Sequence, residues 1–431
     1  MCMSLKKQIV FLVTILSVSV YGQDVYKDTL KITVQKADSL FLLQNLSLLA
    51  EKCNIDAVQA QILQAKVFNN ITFGFNQNVL NTEYKTNGGR KWFDFSNKGE
   101  STVQLQKIFQ IAGQRNKQIK IARLSAGKEA SLYFDLMRTL KFSLRSSLYN
   151  IYYLNQIVKV YDKEIASMGN LIGVYQAQYE KGYISKKELL RLKSSLFSLE
   201  NEKIGYTSQL LSNQADFNVL MHTSNIYYSP QIDTTAFTTV ALQNFKLQAL
   251  IDTATQNRYD LKMAQADVDI SQANLSLQKA MGVPDVALST GWDRNGSYVH
   301  DYNYIGVQFD LPIFNRNQGN IKSAKAIVEG SKYSLLSAQD QVKTDVVSAY
   351  AAALENEKIY NSFDKSFVND MDNLNKEMLK NFEKKNISLI EFLDYYDAYK
   401  ENAVQLNNLL YNRINAFENI NFSLGKDIII K

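Results

Sequence analysis

The chain has 431 residues, 46% of them hydrophobic, with 48 Lys and Arg against 42 Asp and Glu for a formal net charge of +6. That hydrophobic content excludes wholesale disorder. The charges are interspersed, with no basic block of the kind that tracks a phosphate backbone, so nucleic acid is not an expected partner. Three prolines and 18 glycines are few interruptions, and helices can run long.

Residues 1–22 have the layout of an export signal. Lys6 and Lys7 precede the apolar run IVFLVTILSVSV, and Gly22 supplies the small residue for cleavage. The run is short for a bilayer span, which needs about 20 residues. Cys2 leaves with the signal, and no cysteine stands at the new N-terminus to take a lipid. Cys53, alone in a helical pattern, is expected to be a small packing residue.

A first structural repeat is predicted over 23–228. Its helical pattern runs from Leu40 to about Lys66, and a strand follows at about 70–80, where Ile71, Phe73 and Phe75 alternate with polar residues and glycine. A second alternating run at about 101–112 puts Val103, Leu105, Phe109 and Ile111 on one side, broken by Lys107. From 113 to 179 an apolar stripe through Leu132, Leu136, Leu140, Leu144, Leu148 and Ile151 predicts one helix on the order of 100 Å long. A turn at 179–185 and a return helix to about 221 complete the half. Residues 229–245 read as a polar linker.

The programme then starts again over 246–431. QANLSLQK at 272–279 echoes QAQILQAK at 59–66, strands are expected at about 283–292 and 304–314, and a second long helix at about 319–382. It ends in the turn FEKKNIS at 382–388, a near copy of YEKGYIS at 179–185, before a last helix to about Leu424. Three landmarks in one order, at offsets of 213, 202 and 203, mark an internal duplication.

Strands of about ten residues with one apolar face suit a lipid-facing barrel crossed at a tilt. Tyr84, Trp92, Trp292 and Tyr304 fall near the strand ends, where an aromatic girdle is expected. Four strands are too few to close a transmembrane barrel, so several copies have to share one. The fold class is therefore mostly α with a small transmembrane β part. A soluble periplasmic coiled-coil scaffold without a barrel is the alternative.

The repeated turn and the strand-to-helix phrases LPIFNRNQGNIKSAKA (311–326) and FQIAGQRNKQIKIA (109–122) resemble the TolC family of outer-membrane efflux channels, with the strongest likeness to its heavy-metal cation branch. The resemblance implies a homotrimer in the outer membrane of a Gram-negative bacterium, with twelve strands in one barrel above a periplasmic α-helical barrel. It implies a passive exit duct and contact with outer-membrane lipid. It further implies docking to a periplasmic membrane-fusion adaptor and an inner-membrane pump of the RND type, exporting small molecules or metal cations.

Glu391 and Asp394 lie three apart after the second turn, hence on one helix face. The resemblance implies that they are the family's constriction carboxylates, with Asp397 a third candidate; by spacing alone they read as ordinary solvated helix residues. Lys181, Gly182, Ser185, Lys384, Lys385 and Ser388 are the expected adaptor-contacting tips. Ser185 with Glu188 and Ser388 with Glu391 also have capping-box spacing. Lys385-Asn386 replaces Gly182-Tyr183 in the second copy, and Asn386 is the residue expected to tolerate a left-handed backbone there. His222 and His300 have no metal-ligand spacing, and no catalytic motif is present. No cofactor, resident metal or enzymatic activity is expected.

Overall fold

The computed structural model describes residues 28–77, 101–238, 242–295, 299–364 and 366–429. The expected signal segment and the aromatics Tyr84 and Trp92 lie outside the described residues. In chain order the first half holds β1 (Asp28–Ile32), α1 (Val34–Gln44), α2 (Leu46–Lys66), β2 (Thr72–Gln77), β3 (Ser101–Phe109), α3 (Gln114–Glu180) and α4 (Lys186–Leu220). After β4 (Ile226–Pro230), a short α5 (Thr235–Thr238) and a 3-10 turn come α6 (Leu247–Asn257), α7 (Tyr259–Met281), β5 (Val286–Asn295) and β6 (His300–Phe309). The chain ends with α8 (Gln318–Ser362), α9 (Ser366–Glu383) and α10 (Leu389–Leu424).

With 67 residues, α3 is about 100 Å long. No helix of that length is stable alone. Its stripe is buried along the way by α1, α2, α4, α7 and α10. Leu144, Leu148 and Leu154 pack with Phe41 and Phe217 at its middle, and Met168, Leu171 and Tyr175 pack with Phe392 and Tyr396 toward its far end.

Two helices expected to be continuous are broken, each by a side-chain cap. At Asn45 the side chain accepts from Leu48 N–H at 3.1 Å and donates to the Leu220 carbonyl at 2.9 Å, which separates α1 from α2. The helix drawn from 319 to 382 stops at Ser362. Phe363 is extended (ψ 127°), and the Asp364 carboxylate accepts from Ser366 N–H at 2.8 Å to start α9.

The connection after α4 holds more order than its polar composition suggests. β4 pairs in parallel with β1, Leu30 opposite Tyr228. The Gln214 side chain grips Tyr228 at both backbone groups, at 2.7 and 3.0 Å. This small sheet packs at the middle of α3 with Ile32 and Tyr228 fully buried. Cys53 is exposed, contrary to its expected packing role, because α2 turns Leu48 and Glu51 inward and leaves Cys53 on its outer side.

β2, β3, β5 and β6 form one antiparallel sheet in that order, with β2 and β6 at its edges. β6 ends at Phe309, short of the expected 314, since Pro312 has no N–H for a ladder. β3 ends at Phe109, short of 112: Ala112 and Gly113 both take positive φ (56° and 65°) and turn the chain into α3. Asn317 (φ 59°) makes the corresponding turn into α8.

Candidate functional site

The two tips are built alike, atom for atom, in their backbones. In the first, Tyr183 N–H donates to the Gln178 carbonyl and Gly182 N–H to the Tyr179 carbonyl, both at 2.9 Å. In the second, Asn386 donates to Asn381 at 2.9 Å and Lys385 to Phe382 at 3.0 Å. Each is a Schellman closure whose left-handed residue is Gly182 (φ 77°) in one copy and Lys385 (φ 60°) in the other. The residue under left-handed strain is therefore Lys385, and Asn386 takes the following position.

Both return helices start with a complete capping box. Glu188 N–H donates to Ser185 Oγ at 3.3 Å, while Ser185 N–H donates to the Glu188 carboxylate at 2.9 Å. Ser388 and Glu391 repeat this at 3.2 and 3.1 Å. Of the three candidate constriction carboxylates, Glu391 is thus folded back on its own helix start. Asp397 lies 3.5 Å from Lys400, whose ammonium also meets Glu202 at 2.9 Å. Asp394 is exposed and makes no ion pair among the described residues.

Beneath the tips an aromatic column joins three helices. Phe382 stacks on Tyr175 at 5.2 Å and on Phe392 at 4.4 Å, and Phe392 meets Tyr396 at 5.3 Å. The Tyr396 hydroxyl donates to the backbone carbonyl of Glu164 in α3. Sequence spacing did not reveal this column, because its members come from three separate helices. Above it, the exposed residues Lys181, Gly182, Ser185, Lys384, Lys385 and Ser388 form one end of the molecule. The tips are neighbours, since Lys385 helps lower the pKa of Glu188 electrostatically.

At the sheet, strand register separates two chemistries. Phe73, Leu105, Thr290 and Ile305 share a row, as do Phe109, Val286 and Phe309, and these apolar side chains are exposed or half-buried. The opposite face carries Thr72, Gln106, Ser289 and Gly306 in one row and Gly74, Gln104, Gly291 and Tyr304 in the next. The expected girdle members Trp292 and Tyr304 therefore lie on different faces. Tyr304 belongs to the polar one, its ring closed over Gly291, where an added Cβ would meet it at 2.6 Å. Trp292 stands on the apolar face opposite Val103. Among the described residues no group of three or more His, Cys, Asp and Glu side chains could hold a metal ion, and no helix is long and apolar enough to cross a membrane.

The described residues thus present a sheet with one apolar and one polar face, open at both edges, standing on a helix of some 100 Å that ends in paired tips. Residues 250–358 match the family described as outer membrane efflux protein. The cobalt-zinc-cadmium resistance protein CzcC of Cupriavidus metallidurans is 24% identical over 297 residues, covering 68% of this chain and 66% of that protein. The matched part thus falls just short of two thirds of that relative's length. The fold is that of the solved channel CusC (TM-score 0.74, 14% identity, 95% of this chain and 96% of that one). It is equally that of the CmeC outer membrane channel of Campylobacter jejuni (TM-score 0.74, 12% identity, 92% and 86%). The chain is thus similar to outer membrane efflux proteins, in sequence over residues 250–358 and in fold over nearly its whole length.

Proposed function

We propose that three copies of this chain form the outer-membrane exit duct of a tripartite efflux system, and that its cargo is heavy-metal cations. The carrying observation is the four-stranded sheet with both edges unpaired among the described residues and an apolar face exposed. Open edges and a bare apolar face are untenable in water, and in lipid only a closed barrel satisfies every backbone group. Three sheets of four strands give twelve, enough to enclose a channel. Trp292 then meets the lipid, and the row bearing Tyr304 lines the lumen.

The helices continue the duct through the periplasm, and the exposed tip residues Lys181, Gly182, Ser185, Lys384, Lys385 and Ser388 meet a membrane-fusion adaptor that connects to an inner-membrane pump. Asp394 is the carboxylate best placed for an acidic ring at the constriction, where it attracts cations. CzcC carries cobalt, zinc and cadmium in its name, and this supports the cargo assigned here. Detergent extraction from an outer-membrane fraction is expected to yield a particle three times the protomer mass that conducts ions in a planar bilayer. A soluble monomer would instead establish the scaffold reading. Loss of the protein is expected to raise sensitivity to divalent heavy metals and leave sensitivity to organic drugs unchanged.

A further inference from the structure

We propose that the helix-side base of the apolar sheet face binds the anionic headgroup of a phospholipid in the periplasmic leaflet, through Lys107, Arg115 and the ring of Phe68. The inference rests on the reading of this sheet as seated in the outer membrane.

Lys107 stands in the same row as Leu288 and Val307, on the face that carries Phe73 and Phe109. A lysine there is anomalous unless its ammonium reaches an interface, and it does so at the base of the sheet, donating to the Asn69 carbonyl. Arg115, at the start of α3, donates through Nε to the Lys66 carbonyl at 3.1 Å. The two cations converge on one ring: the Arg115 guanidinium lies 3.9 Å and the Lys107 ammonium 6.0 Å from the centre of Phe68. That ring is 67% exposed.

Among the described residues neither cation has a carboxylate partner. Asp285, the acidic side chain next to this junction, accepts instead from the Gln114 amide at 2.9 Å. Two like charges are thus held beside one another by carbonyls that use part of their hydrogen-bonding capacity, and the positive end of the α3 dipole lies beside them. Their mutual repulsion is relieved by an anion, and the remaining N–H groups can still donate to its oxygens. Exposed Phe68, Phe109 and Ile111 provide apolar surface for acyl chains next to that charge. An amphiphile with an anionic head and apolar tails matches both halves of the surface. A soluble anion matches one.

Native mass spectrometry of the detergent-purified assembly, supplied with equal phosphatidylglycerol and phosphatidylcholine, reads this directly. At least threefold more phosphatidylglycerol is expected to be retained, with little displacement by millimolar inorganic phosphate. Lys107→Gln with Arg115→Gln is expected to abolish the preference and Lys107→Arg to keep it. Should the double variant not assemble, Lys107→Gln alone must lower the preference. Equal retention of the two lipids by the native assembly, or a preference that survives Lys107→Gln, overturns the site. A chain that enters no bilayer fails the exit-duct reading as well, whereas one that enters and ignores headgroup charge fails only this inference.

Discussion

Glu391 and Asp394 are one turn apart and chemically alike, yet their surroundings give them different work. Glu391 closes a helix start, and Asp394 projects free. Gln also completes a capping box, so Glu391→Gln is expected to leave stability unchanged, while Glu391→Ala loses about 1 kcal/mol. In planar bilayers, Asp394→Asn is expected to raise conductance and weaken block by polyvalent cations, with Glu391→Gln having the smaller effect. Equal effects would mean that the cap opens and both carboxylates face the ion path. Lys385 is the other residue whose neighbours explain little by themselves. Its left-handed backbone is the cost of replacing the glycine found at 182, so Lys385→Gly is expected to stabilise the second tip by about 1 kcal/mol. Slower hydrogen exchange at the Asn386 amide checks this.

Among the elements, α4 and α10 begin with the same box, and α4 carries a measurable pH signature. The Ser185 backbone N–H, and then its hydroxyl, hold the Glu188 carboxyl below its ordinary value of 4.5, partly opposed by burial and aided by Lys385. A lowered folded value stabilises above pH 4.5 and loses that contribution as pH falls through the folded value. Proteolysis at the first tip is therefore expected to accelerate on acidification below pH 4.5, and Glu188→Gln to flatten the profile. These boxes were legible in the sequence because cap and acid lie three residues apart. So were the strand alternation and the α3 stripe, whose periods are local. The pairing of β1 with β4 was not legible, since strands of five residues from opposite ends of the first half find each other only through the middle of α3. The break at Phe363 was equally hidden: no proline or glycine marks it, and it is the Asp364 cap that restarts the helix. Lys400 meeting Glu202 joins α10 to α4 across the duplication, a pairing that no single-helix pattern contains.

For the molecule as a whole, the decisive feature is that the edges of β2 and β6 are unpaired among the described residues. If three subunits share one barrel, β6 of each runs antiparallel to β2 of the next, and residues on one face come within disulfide reach (Cα to Cα about 4.4–6.8 Å). Phe73 lies on the apolar face of β2, and Ile305, Val307 and Phe309 lie on the same face of β6. Barrel shear offsets the register across the subunit boundary, so three partners have to be tried against one position. Cys53 is exposed and must first be removed as Cys53→Ser. In that background, Phe73→Cys combined in turn with cysteine at 305, 307 and 309 is expected to give, for at least one pair, a covalent ladder of dimer and trimer after mild oxidation. Each single variant is expected to stay monomeric on denaturing gels. No ladder from any pair, in a particle that still extracts as a trimer, would mean that the subunits associate through their helices while each sheet meets the membrane by itself. Backbone chemistry forbids that arrangement, because it strands two rows of N–H and C=O groups in hydrocarbon.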